Sequence, residues 1–249
     1  MFTTRIIKGG ALLADSLRFL EAWEPDLSPD ENLARFAAQR LLGKTRVREK
    51  AVLNILRRRF LETNASVVRT LRRLRHDPVA LREACYYEAT RTEELLAAFA
   101  EEPLFTWYHA GKREITLEDV LHWLATDRRV PDWNEVTRKR VAQGILATFR
   151  DFGLLQGEVG SRRKQITFPN LSLRGFLYVS LRERRRCSSD RALLESRVWR
   201  RYLLTPYDVR RLFLEANRLG YLHFSEAGSM IRVDWLIESL EEVSNVIPT

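Results

Sequence analysis

The residues of this chain best suited to chemistry are its cations. Arg46, Arg48, Lys50, Arg57 and Arg58 lie along one stretch between Gly43 and Leu61. Lys139 and Arg140, with the neutral but hydrogen-bonding Gln143, lie along a second, and Arg162, Arg163 and Lys164 are consecutive in a third. A guanidinium presents a planar fork that pairs two-pronged with phosphate or the edge of guanine, while lysine acts as a point charge. The chemistry expected of this set is phosphate recognition, with double-stranded DNA as the partner.

Other chemistries lack their residues. There is no GxSxG, no GxxxxGK[ST], no dinucleotide fingerprint and no Asp-x-Asp pair. His76, His109, His122 and His223 form neither HxxxH nor HExxH, and Cys85 and Cys187 are far apart without CxxC spacing. Neither a metal site nor a disulfide framework is expected. The expectation is a protein that is not an enzyme and carries no cofactor.

The 42 Lys+Arg against 33 Asp+Glu give a formal charge of +9 over 249 residues. Such an excess favours nucleic acid or an anionic surface as partner. A hydrophobic fraction of 45% is enough for a folded core. The N-terminal residues lack the apolar region of a signal peptide, and no apolar run approaches the ~18 residues of a membrane span. The chain is expected to be soluble and cytoplasmic, with no membrane partner.

The elements that position these cations follow from caps and periodicity. Leu12, Leu13, Leu17, Phe19 and Leu20 give a helix after Gly9-Gly10, and Asp30 is expected to cap the next, through Leu41. Thr45 caps a basic helix whose apolar face is Val47, Ala51, Val52, Ile55, Leu56 and Phe60. Ser66–Arg75 forms a helix bearing Arg69, Arg72, Arg73 and Arg75, and Asp77-Pro78 opens another. The arginines of these helices have Glu83, Glu88, Glu93 and Glu94 as the alternative to phosphate.

From about residue 112 the pattern changes. Thr116 caps a short helix, Glu135 to Phe152 forms a longer one ended by Gly153, and a basic turn at Ser161–Lys164 precedes a strand at Ile166–Phe168. On the long helix Val141, Ala142, Ile145, Leu146, Phe149 and Phe152 face inward, while Lys139, Arg140, Gln143 and Arg150 face outward. This is the order of a winged helix-turn-helix. The charge run from Leu181 to Arg186 is taken as a boundary. The same order then recurs: a capped helix from Thr205 with the buried stripe Val209, Leu212, Phe213, Ala216 and Leu219, a hairpin at Tyr221–Val233, and a closing helix from Trp235 to Val243. Phe-Gly-Leu-Leu at 152–155 and Leu-Gly-Tyr-Leu at 219–222 mark equivalent points. The third unit mixes Arg211 and Arg218 with Asp208 and Glu215, which favours contact with protein, or packing on the first two units, over direct DNA contact.

The expected architecture is mainly α. A helical N-terminal domain (1–111) carries the basic helix, followed by a winged-helix-like domain (112–180) and a second one with a C-terminal helix (181–249).

Ile6-Ile7-Lys8-Gly9-Gly10-Ala11-Leu12-Leu13, then Asp15-Ser16-Leu17, Glu31-Asn32-Leu33 and the basic helix from Lys44 to Phe60, resemble the BrxA family of bacterial BREX (bacteriophage exclusion) defence systems. The resemblance is most specific over residues 5–62. It implies a cytoplasmic, mainly helical, DNA-binding protein without known catalytic residues. It also implies action beside a BREX methyltransferase, ATPase and phosphatase-like partner. Two alternatives stand beside this reading: an assembly adaptor whose basic faces meet acidic proteins, and an RNA-binding helical protein.

Overall fold

The computed structural model describes residues 1–43, 45–61, 65–168, 170–228 and 230–246, and the chain is mainly helical. Lys44 and the last three residues of the C-terminal span lie outside the described residues. The first part comprises α1 (Ile6–Gly9), α2 (Leu13–Ala22), α3 (Pro29–Gln39), α4 (Arg46–Phe60), α5 (Ser66–Leu74), α6 (Pro78–Thr92), α7 (Glu94–Phe99), a π-turn (Ala100–Leu104) and α8 (Phe105–His109). The middle comprises β1 (Glu114–Thr116), α9 (Leu117–Thr126), α10 (Glu135–Asp151), β2 (Leu155–Gln156), β3 (Arg163–Ile166) and α11 (Leu173–Glu183). Then come α12 (Asp190–Leu194), a 3-10 turn (Arg197–Tyr202), α13 (Pro206–Arg218), β4 (Leu222–Ala227), β5 (Met230–Trp235) and a second 3-10 turn (Leu240–Asn245).

Caps set most of these starts. Thr45 accepts from the Arg48 amide, Asp77 from Ala80, and Asn134 from Thr137. Thr116 with Asp119 and Thr205 with Asp208 form reciprocal capping boxes. At α3 the cap is Ser28, not Asp30: Ser28 and Glu31 form the box, Pro29 takes the first turn, and Arg40 ends the helix at φ 54°.

Gly153 and Gly220 end α10 and α13 in the same way. Both take positive φ, 84° and 77°, which a side chain would resist. In each case the residue after the glycine donates five back, Leu154 to Phe149 and Tyr221 to Ala216, the Schellman closure. The likeness between 152–155 and 219–222 is therefore a shared helix stop that turns the chain into a strand.

Two sheets are present among the described residues. β1, β3 and β2 form an antiparallel sheet in that order, and β4 pairs with β5. β1 was not expected; it forms because Ile115 and Thr116 pair with Lys164 and Arg163. The expected closing helix from Trp235 is corrected, since Trp235 is the last residue of β5, opposite Leu222, and among the described residues only the 3-10 turn from Leu240 follows.

Helix α6 lies at the centre, buried continuously from Glu83 to Thr90. Tyr86 packs edge-on against Phe149 of α10 and Tyr202 of the 3-10 turn, so one core runs through all three expected spans. α11 extends across residue 180. Between α6 and α11 lies a polar seam. Glu88 accepts from Tyr178 Oη at 2.8 Å, Arg182 Nε at 2.8 Å and Arg91 Nε at 2.7 Å. Such a fully buried carboxylate is tolerable only because its lone pairs are met by paired donors.

Candidate nucleic-acid interface

The three consecutive arginines of α4 have three different environments. Arg57 is exposed, Arg58 is half-buried, and Arg59 is buried. Arg59 donates to the carbonyls of Gly10 and Ala11 at 2.7 and 2.9 Å. Burial lowers its pKa to about 10, offset by Glu93 nearby. This guanidinium clasps the glycine turn that links α1 to α2, and its role is structural.

That clasp sets the rotation of α4. The buried residues are Glu49, Val52, Leu56, Arg59 and Phe60, with Glu49 accepting from the Leu42 amide. Val47, expected in the core, is 81% exposed. It shares the outer surface with Arg46, Lys50, Asn54 and Arg57. Arg46, Lys50 and Arg57 have no ion partner among the described residues. Arg48 is exposed but engaged: it pairs with Asp15 at 3.0 Å and donates to the Lys8 carbonyl.

The short helix α1 wedges between α4 and α10. A Cβ on Gly9 would lie 3.2 Å from Ile55 of α4, and one on Gly144 of α10 would lie 3.4 Å from Ile6. The two cation-bearing helices thus flank α1, whose Lys8 is exposed. The periodicity of the sequence did not single out Lys8, because a four-residue helix has no period to read. Its only signal was its place before the glycine pair.

On α10 the expected inner face is buried throughout, and Lys139, Arg140 and Gln143 are exposed without a side-chain partner among the described residues. Arg150 pairs with Asp151 at 2.5 Å. In the β2–β3 hairpin Arg162 is exposed and unpaired among the described residues, while Arg163 is exposed and reaches Glu114 at 3.6 Å.

Lys164 is the correction in this set. β3 begins at Arg163, three residues earlier than expected, and strand alternation turns Lys164 inward, where it is only 2% exposed. Its ammonium donates to the carbonyls of Glu158 and Ser161 and so holds the loop it was expected to tip. Burial, with Arg150 nearby, lowers its pKa.

Of the arginines on α5, Arg69 and Arg73 pair with Glu241, not with the acids of α6, which ties α5 to the C-terminal turn. The acids of α6 have other partners, as Glu88 does in the seam. No group of His, Cys, Asp and Glu suited to a metal occurs among the described residues, and no described helix is long and apolar enough to cross a membrane.

These features define a mainly helical protein that carries, among the described residues, cations without ion partners on α4, on α10 and on the hairpin that follows it. The model of the BrxA family matches residues 1–181, and the chain belongs to that family. Membership points to a component of a BREX phage-defence system. No curated protein matches the chain.

Proposed function

We propose that this chain is a non-catalytic component of a BREX system that binds double-stranded DNA, largely through arginine–phosphate contacts. One observation carries the reading: Lys139, Arg140 and Arg162 are exposed and without ion partners among the described residues, on a helix and hairpin joined by the Gly153 stop. Cations left unpaired on a structured surface favour a polyanion. On this reading β1, α9, α10, β2 and β3 act as a winged helix-turn-helix. α10 enters the major groove, and Arg162 and Arg163 rest on the backbone or in the minor groove. Gln143 is the member of the set able to give and accept bonds at an adenine edge. Lys8, Arg46, Lys50 and Arg57 extend the phosphate path across α1 to α4. A cytoplasmic location and action beside the BREX methyltransferase, ATPase and phosphatase-like proteins belong to the same proposal.

Fluorescence anisotropy with a labelled random-sequence duplex, titrated at several salt concentrations, tests it. The expected result is affinity that falls steeply with salt and is weakened by Arg140→Ala and Arg162→Ala. Absence of binding at low salt, or preference for structured RNA over duplex DNA, overturns it.

A further inference from the structure

We infer that the groove between α13 and the entries to α6 and α11 is a docking site for an acidic amphipathic helix on a partner protein. The groove has a volume of about 1190 Å³, larger than the roughly 300–1,000 Å³ typical of small-molecule pockets. Its floor is apolar, built from the buried Leu171, Leu173, Leu203 and Leu204. Three large apolar side chains stand exposed around it: Phe168, in the segment after β3, is 80% exposed, Leu214 of α13 54% and Val79 of α6 45%. Large apolar side chains gathered around a concavity mark an interaction surface, whereas single ones scattered over a surface do not. A helix, about 10–12 Å across with its side chains, is the element that lays i, i+4 and i+7 anchors into such a groove.

Charge selects the partner's sign. Arg211 and Arg218 stand three residues before and four after Leu214, on the same exposed face of α13, and have no ion partner among the described residues. Two of the three carboxylates in the lining are already engaged. Asp77 pairs with Arg174 at 2.8 Å and caps α6. Asp208 accepts from the Thr205 amide and hydroxyl. Glu215 alone is left against the two free guanidinia. The groove therefore rewards carboxylates flanking an apolar stripe. An exposed leucine set between the two arginines is a poor match for a phosphate backbone, whose affinity comes from charge. The wall that carries both arginines, α13, lies outside the residues matched by the family model.

The test uses the full chain and a fluorescein-labelled, stapled peptide of about 16 residues, long enough to hold a helix. It carries Leu at i, i+4 and i+7 and Glu along both edges of that stripe. A control peptide replaces each Glu by Lys. The expected result is saturable binding of the acidic peptide only, unchanged by excess duplex DNA. Leu214→Ser and the double change Arg211→Glu with Arg218→Glu should each weaken it about tenfold or more. All three positions are exposed, so the variants keep the fold, which circular dichroism checks. Three results overturn the inference: no saturable binding of the acidic peptide, equal binding of the Lys peptide, or displacement of the peptide by DNA. The last would assign the α13 face to nucleic acid. A self-associated chain that Leu214→Ser makes monomeric, measured by sedimentation, also overturns it, because the occupant is then a second copy.

Discussion

The Arg59 guanidinium donates to the Gly10 carbonyl at 2.7 Å, joining the last turn of α4 to a glycine held at φ 41°. Through this bond the Gly9-Gly10-Ala11 turn fixes how α4 is rotated, and so which of its cations face outward. Replacing Arg59 by Met keeps most of the stem but leaves the buried Ala11 carbonyl and the part-buried Gly10 carbonyl without this donor. The expected loss is about 3 kcal/mol, in the range for breaking one side of a buried charged interaction. Arg57→Ala, on the exposed face, should stay within about 0.5 kcal/mol of the parent. Urea unfolding of the two variants measures both. Equal midpoints would show that the clasp contributes nothing.

Lys164 and Arg162 are two residues apart in the hairpin and predict opposite signatures in DNA binding. Arg162→Ala and Arg140→Ala should each weaken binding similarly across sequences and reduce the salt slope by about 1, as loss of one phosphate contact does. Lys164→Met keeps an apolar stem in the sheet but releases the carbonyls of Glu158 and Ser161. It should lower stability by about 1–2 kcal/mol and leave the salt slope unchanged. A slope that falls for Lys164→Met as much as for Arg162→Ala would return Lys164 to the contact surface.

The contrast within this hairpin shows where the sequence could be read. Caps are local chemistry, and Thr45, Asp77, Thr116 and Thr205 act as their neighbours demand. The inner face of α10 was legible because its stripe runs unbroken over the whole helix. α4 misled because its core side includes Glu49 and Arg59, whose partners Leu42, Gly10 and Ala11 are supplied by the tertiary fold. The strand start at Arg163 was hidden for the same reason. It depends on pairing with Glu114–Thr116, nearly fifty residues earlier. Leu219, expected in the α13 stripe, lies at the frayed stop before Gly220 and is 39% exposed. Of the candidate site, residue types were legible. Which cations remain unpaired was not, because that depends on the positions of Asp15, Glu114, Asp151 and Glu241 in space.

Glu83 gives a prediction in pH. Its carboxylate accepts from the Ser172 amide at 3.0 Å and bonds the Ser172 hydroxyl, capping α11 from α6. Burial nonetheless pushes its pKa up, from 4.5 to about 7, against the lowering effect of the Ser172 bonds. A carboxyl whose folded pKa is raised holds its proton more tightly when folded. Its contribution is fully present below pH 4.5 and is lost as pH rises through about 7. Glu83→Gln, which keeps the shape without the titration, should therefore gain relative to the parent across that window. The gain should be on the order of 1–3 kcal/mol. Denaturant unfolding from pH 4.5 to 8 checks it, and a parent-minus-variant difference flat with pH would rule it out.

Gly175, in the first turn of α11, faces the same carboxylate. A Cβ there would overlap the Glu83 carboxylate, with its Cδ at 2.9 Å, and would press on Leu171 at 3.0 Å. Glu83 is itself fixed by Ser172, so it cannot swing aside as a free surface side chain would. Gly175→Ala is thus expected to destabilise by about 1–3 kcal/mol, the usual range for overpacking a closed core. The cause is specific to one neighbour, which makes it separable from helix propensity: Ala favours a helix more than Gly does. Glu83→Ala alone should destabilise as well, by stripping Ser172 of its acceptors. In the double variant the new methyl enters the space that Glu83 vacates, so the two losses should sum to more than the double variant shows, by about 1 kcal/mol or more. Stabilities of the four proteins from urea unfolding give that coupling directly. Strict additivity would mean that the backbone of α11 moves to accept the added methyl, and that the close fit between α6 and α11 does not set the position of the helix.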